Sequence, residues 1–337
     1  MSKSKLLAFA ALFFVAIIFY FTSGKKESQL HSELQIEEEL VVEAEVIPLE
    51  ELVSEAPLEA PVLIEEEPLT KLASLSDDQQ LPQEVDRLAA LFRPQAALLP
   101  IVETITYKSR VPWVTDRSAY LGDYAAHHNT SKHFISRSLH GKGEYTSEVI
   151  SYGDRFNVFR SDKEIEFHLV MDLSRLKMWF YCLDKGEDTR ILLKTYPVAA
   201  GRLNESKTSG SLTPLGTFSI GSQITSYKKG VMGTFKGEPC EMITVFGRRW
   251  IPFNQEIANC TGRASGLGIH GVPFEVDEEG GYREMRECIG EYVSSGCVRL
   301  LTEDVEEVYA IIASKPSYIH VVSDFSLADL PGTEADI

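Results

Sequence analysis

The chain has 337 residues, room for roughly two domains at about 150 residues each. Hydrophobic residues at 44% and charged residues at 25% exclude whole-chain disorder and a polytopic membrane protein. The net charge of -17 is concentrated: residues 1–26 carry four Lys and no acid, residues 27–70 carry fourteen Glu and no base, and the rest is mildly acidic without a long basic run, which argues against a nucleic-acid partner. Residues 6–22 form an uncharged run in which only Tyr20 and Thr22 are polar. That length is at the short limit for a spanning helix, no small-x-small cleavage signal follows, and no cysteine stands ready for a lipid. Residues 1–26 therefore read as an uncleaved signal anchor in the cytoplasmic membrane, with a removed signal peptide as the alternative. Lys3 and Lys5 are balanced by Lys25 and Lys26, so orientation must come from function.

Residues 27–82 read as an acidic Glu/Pro-rich linker. Like charges extend it and Pro48, Pro57, Pro61 and Pro68 stiffen it, as in a spacer lifting a domain off a surface. Residues 83–160 read as a small α+β segment. QEVDRLAALFR (83–93) has apolar positions at helical spacing and stops at Pro94. A strand at IVETITYKS, helical AYLGDYAAHH, polar HNTSKHF and a strand at VISYGDRFNVFR follow. That order resembles, in outline, a LysM peptidoglycan-binding module. His127, His128, His133 and His140 fall here, but no cysteine or carboxylate pattern completes a four-ligand set, so they read as solvent-exposed rather than metal-binding.

From residue 161 the pattern sharpens. EFHLVMDLSRLKMWFYC alternates with period two across a turn at Asp172 to Ser174, then come the strand ILLKTYPVAAG and the turn Thr213-Pro214-Leu215-Gly216. IHG (269–271) ends a strand, and SSGCVRL (294–300) precedes a helix with Thr302 as its expected N-cap, Glu303 and Asp304 in the first turn, and a stripe of Val305, Val308, Tyr309 and Ile312. The order of strand, Asp-Leu-Ser turn, YPVAAG, TPLGTF, IHG and SSGCVRL is similar to the L,D-transpeptidase (YkuD-type) catalytic domain over residues 165–323. The expected fold is mainly β with α: a β-sandwich or barrel over 161–325 with a helix after the cysteine, and a tail at 326–337.

A cysteine acts as a nucleophile when a base takes its proton and backbone N–H groups receive the oxyanion. The resemblance implies Cys297 as nucleophile, His270 as general base and the Gly271 carbonyl as the group that orients the imidazole. Gly296 permits a tight turn that can aim its own N–H and that of Cys297 at a carbonyl oxygen. Arg299 either supports the pocket or the substrate's carboxylate, or makes a structural ion pair. Two departures from the family stand out. Ser295 occupies a position that is often His, and residues 273–293, acidic with a Gly-Gly turn, lengthen the His-to-Cys interval and suggest a hairpin or loop at the site's rim.

The implied reaction is peptidoglycan cross-linking by acyl transfer from a tetrapeptide stem with release of D-alanine, on the outer face of the membrane and without metal or organic cofactor. The rivals are a hydrolase of the same fold, with water as acceptor, and a non-catalytic envelope protein. Cys182, Cys240, Cys260 and Cys288 could form two disulfides outside the cytoplasm or remain free thiols, and Cys288 could be a redox neighbour of Cys297.

Overall fold

The computed structural model describes residues 81–94, 99–140, 150–222 and 225–335, all within one compact unit. The anchor expected at 1–26 and nearly all of the linker lie outside the described residues. Among the described residues no helix is long and apolar enough to cross a membrane.

The helical spacing at 83–93 is realised only over Leu88–Phe92 (α1). Asp86 bridges to Lys194 and the Arg87 N–H donates to the Leu193 carbonyl at 2.8 Å, so the first half of the segment lies extended along a strand. Tertiary pairing overrides local propensity here. Next come β1 (Val102–Thr106), α2 (Leu121–His127), α3 (Lys132–His140) and β2 (Arg155–Phe159), with β1 and β2 antiparallel. This is the strand–helix–helix–strand order expected from the sequence.

Next come β3 (Ile165–Asp172), β4 (Lys177–Asp184), β5 (Thr189–Pro197), β6 (Ala200–Gly201), β7 (Gly216–Ile220) and β8 (Thr225–Ser226). After them lie β9 (Met232–Phe235), β10 (Glu238–Glu241), α4 (Ile243–Phe246), β11 (Arg249–Ala258), β12 (Gly268–Gly271), β13 (Phe274–Val276) and β14 (Tyr282–Glu284). The last elements are β15 (Tyr292–Ser294), β16 (Val298–Leu300), α5 (Thr302–Ile312), β17 (Ser317–Val322) and β18 (Thr333–Glu334). Ten strands form one sheet in the order β16-β12-β11-β7-β17-β3-β4-β5-β18, with β8 paired to β11. The sheet curls into a half-barrel, so the mainly β fold with helices is as expected and the β-sandwich alternative is not the form it takes. Register shifts in β11 and between β4 and β5 mark bulges, which add twist. β18 pairs in parallel with β5, so the sheet runs past the boundary drawn at 325.

β3 and β4 alternate in sequence yet are buried on both faces. One face packs into the main core with Phe134, Phe159 and the α5 stripe. Val170, Trp179 and Tyr181 on the other are covered by Leu81, Val85, Phe325 and Leu330. The segment 83–160 shares that main core, and α3 docks on α5. The Ser131 hydroxyl accepts from the Phe134 N–H at 2.9 Å and donates to the Ala310 carbonyl at 2.8 Å, while Arg137 pairs with Glu307. Burying each large apolar side chain of α5 contributes about 1.5–3 kcal/mol, which fixes this helix against β11 and β12.

Thr302 is the first helical residue of α5 rather than its cap. Leu301 occupies the N-cap position without a side-chain bond, and the Thr302 N–H donates instead to Glu284 Oε1 at 2.9 Å. Glu284 comes from the segment 273–293, which is indeed a hairpin: β13 and β14 pair antiparallel around the Gly280-Gly281 turn.

Candidate active site

β12 and β16 lie side by side in parallel, Ile269 opposite Val298, His270 opposite Arg299 and Gly271 opposite Leu300. Alternation puts the His270 and Arg299 side chains on one face, and stepping β16 back by two residues brings Cys297 to it. The Cys297 thiol lies 3.8 Å from the Gly266 carbonyl. The Arg299 charge acts on both Cys297 and His270, which gathers these three groups at the sheet's end.

The turn before Cys297 needs glycine. Gly296 has φ +126, and a Cβ there would meet Leu267 Cδ2 at 2.8 Å and the Leu212 carbonyl at 2.9 Å. Thr213 pins the turn: its hydroxyl accepts from the Gly201 N–H at 2.8 Å and donates to the Gly296 carbonyl at 2.9 Å. Ser294 pins it from the other side, donating to the Cys297 carbonyl at 2.6 Å and accepting from the Gly296 N–H at 3.0 Å. The Gly296 amide is thus engaged, contrary to the expectation that it would face a carbonyl oxygen. The Cys297 N–H has no hydrogen-bond partner among the described residues and is free to donate.

His270 is buried and its Nδ1 lies 2.7 Å from the Gly271 carbonyl. An N–H on Nδ1 donates there, which leaves Nε2 with a lone pair. Burial, assisted by the Arg299 charge, lowers the imidazole to about 3, against backbone bonds at Gly271 and Phe246 that raise it. Burial pushes the Cys297 thiol up to about 11, partly offset by the Gly268 backbone and the Arg299 charge. At neutral pH the two groups are therefore a neutral thiol and a neutral imidazole, not a preformed ion pair.

Arg299 is half-buried and has no carboxylate in ion-pair reach among the described residues, so the structural ion pair is not found. Its guanidinium touches the Cys288 thiol, and its backbone bridges Ala199 at 3.0 and 2.9 Å. Ser295 is exposed, with its hydroxyl 3.5 Å from Lys236 Nζ. Lys236 sits at the tip of the β9–β10 hairpin, whose chain continues into α4, where the Phe246 ring stands edge-on to His270 with centroids 5.4 Å apart. Gly247 closes that approach: at φ +61, a Cβ would lie 2.5 Å from the Val272 carbonyl and 2.7 Å from that of Gly271.

Lys236 and Phe246 escaped the sequence reading, which placed Ser294 and Thr213 in their motifs without the hydrogen bonds that pin the turn. The signal for the first was the Lys-Gly pair between two short alternating runs, which marks a tight hairpin turn. The histidines of the lead-in segment stay apart from the site. His127 is exposed and stacks on Trp113 with centroids 3.8 Å apart. His128 is half-buried, and the His140 side chain lies outside the described residues. His133 is not solvent-exposed as expected: it packs on Tyr309 at 4.9 Å, and burial lowers it to about 3. All five cysteines are free thiols.

A family model, the L,D-transpeptidase catalytic domain (YkuD), matches residues 166–334. The chain belongs to that family. Among solved structures it is similar to the helical cell shape determining protein Pgp2 from Campylobacter jejuni, at 14% identity and TM-score 0.32, covering 51% of each chain. It is also similar to Bd1075 from Bdellovibrio bacteriovorus, at 16% identity and TM-score 0.32, covering 47% of this chain and 48% of that one. The chain thus spans about half the length of these structures. No curated protein matches it.

Proposed function

We propose that the chain is a peptidoglycan L,D-transpeptidase working through a Cys297–His270 pair. The observation that carries this reading is the parallel register of β12 and β16, with His270 opposite Arg299 and Cys297 entering the same strand end. Cys297 attacks the carbonyl that joins the third stem residue, a diamino acid, to terminal D-alanine, and its proton passes to His270 Nε2. The Cys297 N–H receives the oxyanion. The C–N bond then breaks as His270 returns the proton to the leaving amine, which leaves a thioester on Cys297. An amine from a second stem attacks the thioester, gives its proton to His270 and carries the acyl group away, restoring the thiol. Arg299, lacking a carboxylate of its own, receives a substrate carboxylate or braces the pocket around it.

The purified chain is incubated with a tetrapeptide stem and the products are weighed. A cross-linked dimer with release of D-alanine supports transpeptidation. A tripeptide without dimer makes water the acceptor and favours the hydrolase reading, and unchanged stem makes the cysteine inert. The run at 6–22 holds the enzyme at the cytoplasmic membrane with residues 71–337 outside, so protease added to spheroplasts digests them. Protection would reverse that orientation.

A further inference from the structure

The β9–β10 hairpin is fastened at its base to the β13–β14 hairpin of the 273–293 segment. Glu241, the last residue of β10, accepts from the Tyr282 hydroxyl at 2.5 Å and also receives the Gly230 N–H. Lys229 Nζ sits 4.4 Å over the Tyr282 ring and donates to the Gly280 carbonyl at 3.4 Å. At the far end the chain turns at Lys236 and Gly237, with φ +54 and +83, and Lys236 Nζ reaches Ser295 Oγ, two residues from Cys297. Between the two ends, Phe235 packs edge-on against Phe246 at 5.6 Å, and Phe246 packs against His270. One latch at Tyr282 therefore sets both the ammonium beside the cysteine turn and the ring against the imidazole. Lys236 has no carboxylate in ion-pair reach among the described residues.

We propose that Lys236 receives a carboxylate of the donor stem next to the scissile amide, and that the Glu241–Tyr282 bond is the latch that holds it in place. This rests on the reading of Cys297 as an acyl-transfer site and names what the site's rim recognises. The Lys236 ammonium is exposed on the hairpin tip, its only other neighbour among the described contacts being the Phe235 ring at 5.3 Å, and a cation without a carboxylate partner beside the nucleophile selects an anionic group on the substrate. In a stem whose third residue is a diamino diacid, two carboxylates flank the scissile bond, that of the terminal D-alanine and that on the diacid's side chain, and the experiment with such a stem separates them.

Binding is measured by calorimetry in a Cys297→Ala background, where no turnover intervenes. The probes are a synthetic tetrapeptide stem and two analogues, each with one carboxylate converted to the carboxamide. Lys236→Met should weaken binding of the free-acid stem at least tenfold, with Lys236→Arg restoring most of it. One of the two amides should lose the same factor against unaltered Lys236 and nothing further against Lys236→Met, which identifies the carboxylate. Discrimination between acid and amide that persists in Lys236→Met, or no binding of the stem at all, overturns the proposal. With Cys297 intact, Tyr282→Phe should raise KM several-fold while kcat stays within about twofold, and an unchanged KM removes the latch. Turnover that does not depend on Cys297 sinks the acyl-transfer reading alone, because the binding comparison is made without it.

Discussion

Two groups of buried histidine occupy the same sheet and differ in what their rings face. His270 in β12 donates from Nδ1 to the Gly271 carbonyl and lies across the strand pairing from Arg299, two residues after Cys297. His168 in β3 and His320 in β17 face each other, Nδ1 to Nε2 at 2.9 Å, and His320 Nδ1 meets the Thr217 hydroxyl at 3.1 Å. Burial lowers His168 and His320 to about 4 and His270 to about 3. The depressed value marks burial and does not by itself mark a catalyst. What separates the two is the neighbour: the proposed nucleophile, with an unpaired backbone amide, follows in the adjoining strand end in one case, and a second imidazole takes one ring nitrogen in the other.

The comparison breaks most sharply at Cys297. Cys297→Ala should abolish turnover, read as product by mass, while thermal or urea unfolding stays within about 1–2 kcal/mol because a small side chain replaces a small one. Retained wild-type rates would sink the assignment. The buried Cys182 gives the control, since Cys182→Ala removes a thiol far from solvent and should stay active.

His270→Ala comes next, with a loss of about 10²–10⁴-fold in kcat, the usual contribution of a positioned base. The Cys297 amide survives that change and leaves a residual rate. The resting neutral pair adds a pH signature. With the thiol pushed up to about 11, alkylation of Cys297 at neutral pH should be slower than for free cysteine and should climb as pH rises toward 11. A flat alkylation rate from pH 6 upward would mean that an ion pair exists before substrate arrives.

How much of this was legible in the chain follows from where the partners sit. SSGCVRL and IHG each carry their chemistry within a few residues, and the period-two runs at 165–182 announce strands whatever their neighbours. The amide of Gly296 could not be read, because Ser294 competes for it only once the turn has closed. Lys236 lies 59 residues from Ser295, and its reach depends on a latch to a second hairpin. The two-sided burial of β3 and β4 was equally hidden, since Leu81, Val85 and residues 325–330 cover the outer face from distant parts of the chain.

The His168–His320 pair gives the third prediction, in stability rather than activity. Its folded values of about 4 lie below the ordinary 6.5. Above pH 6.5 both folded and unfolded chains hold these rings neutral and stability is complete. As pH falls from 6.5 toward 4 the unfolded chain takes protons first, so stability drops by a few kcal/mol. Two protonated rings cannot share one hydrogen bond, and His168 Nε2 has only Glu166, at 3.7 Å, as an anionic neighbour among the described residues. Urea midpoints measured from pH 7 to 4 should fall for the wild type and fall less steeply for His168→Gln with His320→Leu. His133 and His270, lowered to about 3, keep part of the slope in that variant. Equal slopes would assign the acid sensitivity elsewhere.

The smallest expected effect tests whether the rim hairpin serves the fold as well as the site. Glu284 supplies α5 with the N-terminal acceptor that Thr302 does not, its carboxylate meeting the Thr302 N–H at 2.9 Å and Arg286 at 3.1 Å, while Arg286 also pairs with Glu303. A carboxylate over a helix N-terminus is favoured both as a hydrogen-bond acceptor and by the helix dipole. Glu284→Ala should therefore cost about 0.5–2 kcal/mol, seen as a lower urea midpoint. Glu284→Gln should recover part of the loss, because the amide oxygen still accepts the bond but the charge is gone. Turnover should change little in either variant, since α5 is held from below by Val305, Val308 and Ile312 in the main core. A large fall in kcat with an unchanged midpoint would instead couple Glu284 to Cys297 through β16, and the cap would then be part of the site.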